Sequence, residues 1–217
     1  MLNFIENHDE QRVASDFYAG SALKGRAPMI AAAFMNVNPV MIYAGQEYGE
    51  RGMDCEGFSG RDGRTTIYDY WSPRTIRKAL FEPESLTDEE KSLREFYKTL
   101  FNVAGKDKAV SDGLFFDLTY CNNDRYGEYP VDKVYSFLRK SGNRLLLVVC
   151  NFAERDFRLR INIPEHAFEY MSIKQGEYNC TDLLGNIAPF ASELAPDSLV
   201  TTEVPAYSGV VLELSKL

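Results

Sequence analysis

A change of pattern at about residue 108 constrains the fold of this chain more than any other sequence feature. Beyond it, short runs of β-forming residues follow one another, separated by turn signals such as Ser141-Gly142-Asn143 and Gly185-Asn186. The runs are LFFDL, KVYSFLRK, RLLLVVCNF, FRLRINI, LVTTEV and YSGVVLEL. Because helix signals nearly vanish here, the pattern predicts an antiparallel β-sandwich of about eight strands over residues 108–217.

The residues before this change predict α/β structure. Residues 2–6 and 39–43 are short apolar segments, and the second lacks alternation, which is typical of a strand buried on both faces in a parallel sheet. Between them, residues 21–36 carry apolar side chains at helical spacing, with Pro28 tolerable only near the first turn. Strand, helix and strand make one βαβ unit, so we expect an α+β chain with a first domain over residues 1–107.

Two further helices are predicted after a long loop rich in glycine, charge and aromatic residues. Ser72-Pro73 supplies a cap residue followed by proline at the first helical position. Thr87-Asp88-Glu89-Glu90 is a capping box, and the apolar helix behind it is expected to stop at Gly105. Loops as long as the one between the second strand and Ser72 are usually functional or disordered.

Composition excludes several classes of function. The net charge of -8 argues against a nucleic-acid partner, which would require a basic stripe. The longest apolar stretch is interrupted by Asn36, Asn38 and Pro39, so no membrane span is predicted. Two histidines and four cysteines without a CxxC pair do not suggest a metal site, and we interpret the cysteines as packing residues. No cofactor is predicted.

Three motifs, in order, resemble the α-amylase family of glycoside hydrolases. FIENHDE is similar to the F-x-x-N-H-D segment at the end of that family's seventh barrel strand, and NPVMIYAGQEYGE to its eighth strand and the exit from it. GRDGRTTIYDYW resembles the R-D-G loop of several members, although it lacks their Pro-Met, and Asn38 replaces a glycine before the eighth strand. The resemblance covers the whole chain. It implies the last two strands and helices of a (β/α)8 barrel, followed by a C-terminal β-sandwich.

The resemblance also implies roles for individual residues. Asp9 matches the Asp that binds ring hydroxyls and stabilises the transition state, and Arg12 would orient neighbouring acidic groups. The residues implied to bind substrate are Asn7, His8, Arg12 and Arg64, and the implied supports of the site are Tyr43, Gln46 and Glu47. Two structural alternatives stay open: residues 7–9 as an ordinary strand-end turn, and Arg61, Asp62 and Arg64 as a salt-bridge cluster in the loop.

A retaining glycosidase needs a nucleophile and an acid/base, which the family carries on its fourth and fifth strands. Neither is convincing here. The nearest string to the nucleophile strand, Phe157-Arg158-Leu159-Arg160, has Arg where Asp is required, and the Gly-Glu pairs at 127–128 and 176–177 lie beside turns. A closed barrel also takes about 250 residues. We therefore expect one of three catalytic carboxylates, an isolated chain without activity, and two partners: the remainder of the barrel and an α-glucan or malto-oligosaccharide.

Alternative functions remain open at this point. One is a non-catalytic carbohydrate-binding or scaffold module built on the sandwich, and another is a pseudoenzyme subunit completed by a second polypeptide. Aromatic residues able to stack on sugars are Tyr43, Phe58, Tyr68, Tyr70 and Trp71 in the first half, and Tyr120, Tyr126 and Tyr129 in the second. Hydrolysis versus transfer, linkage specificity, oligomeric state and calcium binding by the parent are not decided. The four cysteines, interpreted as packing residues, favour a cytoplasmic location only slightly.

Overall fold

The chain divides into two compact units. The structure, a computed structural model, describes residues 1–54, 61–68, 73–123 and 129–217. The first unit comprises Met1–Ala32 and Asn38–Phe101, and the second comprises Ala33–Val37 and Asn102–Leu217. The chain is α+β, as the sequence predicts. The assignment of residues 1–107 to a barrel domain stays a prediction.

The first helix of the chain begins where its proline requires. A 3-10 helix, Ala22–Gly25, is capped by Ser21, whose side chain accepts a hydrogen bond from the Leu23 amide. Helix α1 (Arg26–Phe34) follows directly, so that Pro28 lies in its first turn, where no intrahelical N–H is required. Ala27, Ile30 and Phe34 of the predicted apolar face are buried, whereas Met35, also predicted on that face, is exposed.

The two segments predicted as strands pair only through a single bridge. Asn3 and Val40 form a parallel bridge, in which the Asn3 amide donates to the Pro39 carbonyl (2.9 Å) and the Met41 amide donates to the Asn3 carbonyl (2.8 Å). The parallel direction agrees with the prediction, but the prediction of regular strands at 2–6 and 39–43 is wrong for this structure. A ladder of two short parallel segments lacks the additional strands that a stable sheet needs.

Two helices follow the loop. Helix α2 (Arg74–Phe81) has Pro73 as its N-cap, with no side-chain cap, so the prediction of proline at the first helical position is wrong. The proposed cap, Ser72, lies outside the described residues. Helix α3 (Asp88–Ala104) confirms the capping box: the Thr87 amide donates to the Glu90 carboxylate (2.7 Å), and the Glu90 amide donates to Thr87 Oγ1 (3.2 Å). It ends immediately before Gly105, as predicted.

The second unit is an antiparallel β-sandwich with eight strands among the described residues. It opens with the single-turn helix α4 (Lys108–Ser111). Its six-stranded sheet has the order β1-β2-β3-β8-β5-β6, and its second sheet pairs β4 with β7. The strands are β1 (Leu114–Asp117), β2 (Val134–Ser141), β3 (Arg144–Asn151), β4 (Phe157–Ile163), β5 (Gly176–Asp182), β6 (Phe190–Leu194), β7 (Ser198–Val204) and β8 (Gly209–Lys216).

Two strands and two α-helices of this unit escape the sequence prediction. The six predicted runs correspond to β1–β4, β7 and β8, whereas β5 and β6 were not singled out. Helix α5 (Glu165–Met171) lies between β4 and β5 and begins after Pro164. It contributes Ala167, Phe168 and Met171 to the core between the two sheets. This helix corrects the expectation that helices nearly vanish after residue 108.

Buried amides tie the two sheets together. Asn122, in the turn after β1, donates through Nδ2 to the Leu118 carbonyl (2.8 Å) and the Asn162 carbonyl (3.1 Å). Its Oδ1 accepts from the Asn162 amide of β4 at 2.7 Å. Asn151 of β3 donates to the carbonyl of Val204 in β7 (3.2 Å). A buried amide that is satisfied in this way stabilises one specific arrangement of the sheets, because any slip leaves polar atoms unpaired.

Within the described part of the chain, no helix is long and apolar enough to cross a membrane.

Candidate functional site

The NHD segment forms a tight turn directly after the Asn3–Val40 bridge. Asn7 Oδ1 accepts hydrogen bonds from the backbone amides of Asp9 (2.8 Å) and Glu10 (3.0 Å). This turn points the next two side chains outward: the His8 side chain is 50% exposed and that of Asp9 is 74% exposed, with His8 Nε2 at 3.5 Å from Asp9 Oδ1. Asn7 therefore shapes the turn, while a carboxylate and an imidazole are presented side by side to solvent.

A buried ion pair stabilises this turn. Arg12 Nη1 donates to Glu6 Oε2 at 2.9 Å, and both side chains are almost fully buried. The second oxygen of Glu6 accepts from the Val13 amide at 2.8 Å. Burial raises the pKa of the Glu6 carboxyl, and the charge and hydrogen bond of Arg12 oppose that rise. Residues 6 and 12 thus join the two ends of the segment that carries His8 and Asp9.

The Arg12 side chain is buried within the first unit. Only 1% of the residue is exposed, so its guanidinium faces other protein groups, and its implied substrate-binding role stays a prediction. Its remaining donors bind the Ala44 carbonyl (Nη2, 2.8 Å) and Thr65 Oγ1 (Nε, 2.8 Å). The guanidinium also lies over the Tyr43 ring, 4.0 Å from its centroid. Arg12 does orient an acidic group, Glu6, as the resemblance implies.

The other implied supports also make structural contacts. The Tyr43 hydroxyl donates to the Thr65 carbonyl at 2.8 Å, and its amide donates to Gln46 Oε1 at 3.2 Å. Gln46 Nε2 donates to the hydroxyl of Tyr97 at 2.9 Å, and burial raises the pKa of that hydroxyl. Glu47 Oε2 accepts from the Gly45 amide at 3.1 Å. These contacts stabilise the turn that follows residues 39–43.

Arg64 belongs to a loop that is tied to the same segment. Its Nε donates to Asp62 Oδ2 at 2.8 Å, and this interaction lowers the pKa of Asp62. The same hydrogen bond chiefly raises the pKa of Arg64, and the negative charges of Asp9 and Glu10 add to the effect. The Arg12 amide donates to the Gly63 carbonyl at 2.8 Å. Arg64 is therefore both part of a loop ion pair and within the field of the exposed Asp9.

Three residues of this network were missed by sequence reasoning. Glu6 and Thr65 bind Arg12, and the buried Glu50 accepts from the Gly52 amide (2.9 Å) and from the Thr75 hydroxyl. No sequence motif marks them, because Arg12 lies 53 residues from Thr65 and Thr75 lies 25 residues from Glu50. The only available signal was Glu6 itself, a carboxylate that ends an apolar segment.

Several predicted residues lie elsewhere or outside the described ranges. Phe58, Tyr70, Trp71 and Tyr126 are not among the described residues, and Tyr68 is exposed. In the first unit, a cleft of about 450 Å³ is lined by Tyr48, Glu50, Thr75 and Lys78 among others, but not by Asp9. Among the described residues, no group of His, Cys, Asp or Glu side chains is arranged to hold a metal ion.

Comparison with known proteins assigns the second unit. Residues 129–215 match the family model described as the alpha amylase C-terminal all-beta domain. Residues 129–215 therefore form an α-amylase-type C-terminal domain. No curated protein matches the sequence.

Solved structures share the fold of this chain along its length. The noncanonic maltogenic α-amylase AmyB from Thermotoga neapolitana superposes with a TM-score of 0.62 at 16% identity, covering 100% of this chain and 41% of that one. AmyP in complex with maltose gives 0.64 at 13% identity, covering 98% and 40%. Trehalose-6-phosphate hydrolase from Bacillus licheniformis gives 0.59 at 17% identity, covering 99% and 43%. The chain spans less than half the length of each.

Proposed function

We propose that this chain is the C-terminal part of an α-amylase-family glycoside hydrolase or transglycosylase that acts on α-glucans by a retaining mechanism. In this proposal residues 1–107 end the catalytic barrel and residues 108–217 form the sandwich that follows it. The observation that carries the proposal is the outward-facing pair Asp9 and His8, held on a turn by the buried Glu6–Arg12 pair, in a chain that also contains an α-amylase C-terminal domain.

Asp9 is proposed to stabilise the transition state. A carboxylate that binds ring hydroxyls of the sugar being cleaved favours the distorted, oxocarbenium-like geometry, provided that its position is fixed in advance. The position of Asp9 is fixed by the two hydrogen bonds that Asn7 Oδ1 accepts and by the buried Glu6–Arg12 ion pair. His8 would bind a hydroxyl of the same sugar. The solved complexes of AmyP with maltose and maltotriose support the choice of an α-glucan.

The nucleophile and the acid/base are proposed to come from the remainder of the barrel. In a retaining enzyme these two carboxyl groups face the substrate about 5–5.5 Å apart. Glu6 and Glu50, the buried carboxylates of the first unit's described residues, are only 3% exposed. Both already accept internal hydrogen bonds. Neither can therefore approach a sugar as nucleophile or acid/base, and we propose that the 217-residue chain alone is inactive.

The proposal is tested on the longer polypeptide. The reading frame upstream of Met1 is sequenced, and the whole protein is expressed with Asp9→Asn. We expect kcat on maltoheptaose to fall by about a thousandfold, because one transition-state interaction is removed from a preorganised site. Asp16→Asn is the matched control, since Asp16 is exposed and pairs with Arg51. An upstream frame without strand-end Asp and Glu residues, or an Asp9→Asn enzyme with wild-type kcat, contradicts the proposal.

A further inference from the structure

Four aromatic rings meet at one edge of the sandwich, outside the candidate active site. Phe116 lies on β1, Tyr120 in the 3-10 helix Thr119–Cys121, and His166 and Tyr170 lie four residues apart on α5. The Phe116 ring centroid is 4.9 Å from that of His166, 6.1 Å from that of Tyr170 and 6.4 Å from that of Tyr120. We call these four residues the aromatic patch.

The aromatic patch packs against the hydrophobic core on one side and is exposed to solvent on the other. Phe116 packs against the hydrophobic core, and α5 is anchored there by Phe168 and Met171. Tyr120 is nevertheless 50% exposed and Tyr170 is 56% exposed. The Tyr120 hydroxyl lies 2.6 Å from His166 Nε2, which fixes the orientation of both rings. A surface that is ordered before it binds a ligand loses little conformational entropy on binding.

We propose that the aromatic patch binds an α-glucan chain as a second contact surface, with glucose rings stacked on Tyr120 and Tyr170. The glucose ring has an apolar face of C–H groups, which suits the electron-rich face of an aromatic ring. Its hydroxyls both donate and accept, and the patch supplies matching groups in the phenol hydroxyls and the imidazole of His166. The class of ligand rests on the proposed function of the chain.

Charge around the patch favours a neutral ligand over an anionic one. Glu165 and Glu169 are exposed on α5, beside His166 and Tyr170. These carboxylates repel nucleic acids and phosphate esters. The same carboxylates would attract a basic protein segment, but an ammonium group can only donate hydrogen bonds. The Tyr120–His166 pair presents both donors and acceptors, which suits a hydroxyl because a hydroxyl also does both. The patch is therefore better matched to a neutral sugar.

This site differs from the tyrosine cluster that the sequence suggested. Tyr129 is 3% exposed and its hydroxyl hydrogen-bonds to Ser136 at 2.8 Å, so it contributes to the core and is not available to a glycan. Tyr126 lies outside the described residues. Only Tyr120 of the predicted three belongs to the patch, and its neighbours His166 and Tyr170 come from the helix that the sequence pattern did not reveal.

Affinity measurements on the full chain test the patch. Maltoheptaose binding by titration calorimetry, and retardation in amylopectin gels, are compared for wild type and for Tyr120→Ala/Tyr170→Ala. We expect the double variant to bind about tenfold or more weakly, because it loses two stacking surfaces. Tyr170→Phe keeps both stacking surfaces and loses one hydroxyl, so its affinity should lie much closer to that of wild type than to that of the double variant. Phe152→Ala removes an exposed aromatic ring elsewhere in the sandwich and should have no effect.

Each other outcome overturns the inference. Absence of any glucan binding, or equal binding by wild type and the double variant, shows that the patch is not a glucan site. Binding that Asp9→Asn abolishes and the double variant retains would locate the ligand at the candidate active site, leaving the proposed function intact. Circular dichroism confirms that the double variant is folded. Concentration-dependent association of wild type, lost in the double variant without glucan binding, would make the patch an interface between copies.

Discussion

At the scale of single residues, Arg12 shows how far a motif can be interpreted. Its position three residues after Asp9 indicated a site residue near acidic groups, and it does bind Glu6 at 2.9 Å. The sequence did not indicate which way the side chain faces, because a turn directs neighbouring residues to opposite sides without a regular period. His8 and Asp9 face solvent, whereas Arg12 is buried against Thr65 and Tyr43.

Arg12→Ala should destabilise the first unit strongly. Removing the guanidinium leaves the Glu6 carboxylate buried without its cation, which typically costs about 3–5 kcal/mol of unfolding free energy. Urea unfolding followed by circular dichroism measures the change. Arg51→Ala is the matched control, because its ion pair with Asp16 is more than half exposed and should contribute less than about 1 kcal/mol. Equal losses in the two variants would show that the Glu6–Arg12 pair does not brace the segment.

At the scale of elements, local signals predicted what local interactions determine. The capping box and the end of α3 at Gly105 were correct because their hydrogen bonds lie within four residues. The strands at 2–6 and 39–43 were wrong as regular strands, because a parallel ladder depends on neighbours far away in sequence. Helix α5 was missed because its seven residues are too few to show a helical period between β runs.

Thr87→Ala should weaken α3 by removing its N-terminal cap. The Thr87 hydroxyl satisfies the Glu90 amide, and loss of such a cap typically costs about 1 kcal/mol. The free energy of unfolding in urea measures the loss. Thr87→Ser keeps the hydroxyl and should restore most of the stability, which separates capping from loss of the side chain as such. A serine variant as unstable as the alanine variant would contradict the capping role.

At the scale of the whole molecule, the change of pattern and the turn signals predicted the β-sandwich. The sandwich was confirmed because β-propensity and turns recur along its whole length, and the family model matches residues 129–215. The candidate site was only partly predictable. Asn7, His8 and Asp9 are contiguous and carry a motif, whereas Glu50 and Thr65 are held by contacts with Thr75 and Arg12, which lie 25 and 53 residues away.

The central claim is that this chain holds one catalytic carboxylate and depends on others outside it. The most direct test is the release of nitrophenol from 4-nitrophenyl maltoheptaoside by the purified chain, beside its Asp9→Asn variant. We predict that both proteins give the same rate as buffer, because the proposal places the nucleophile and the acid/base outside these 217 residues. Turnover at enzymatic rates by wild type that Asp9→Asn abolishes would contradict the claim, since the chain would then possess a complete active site.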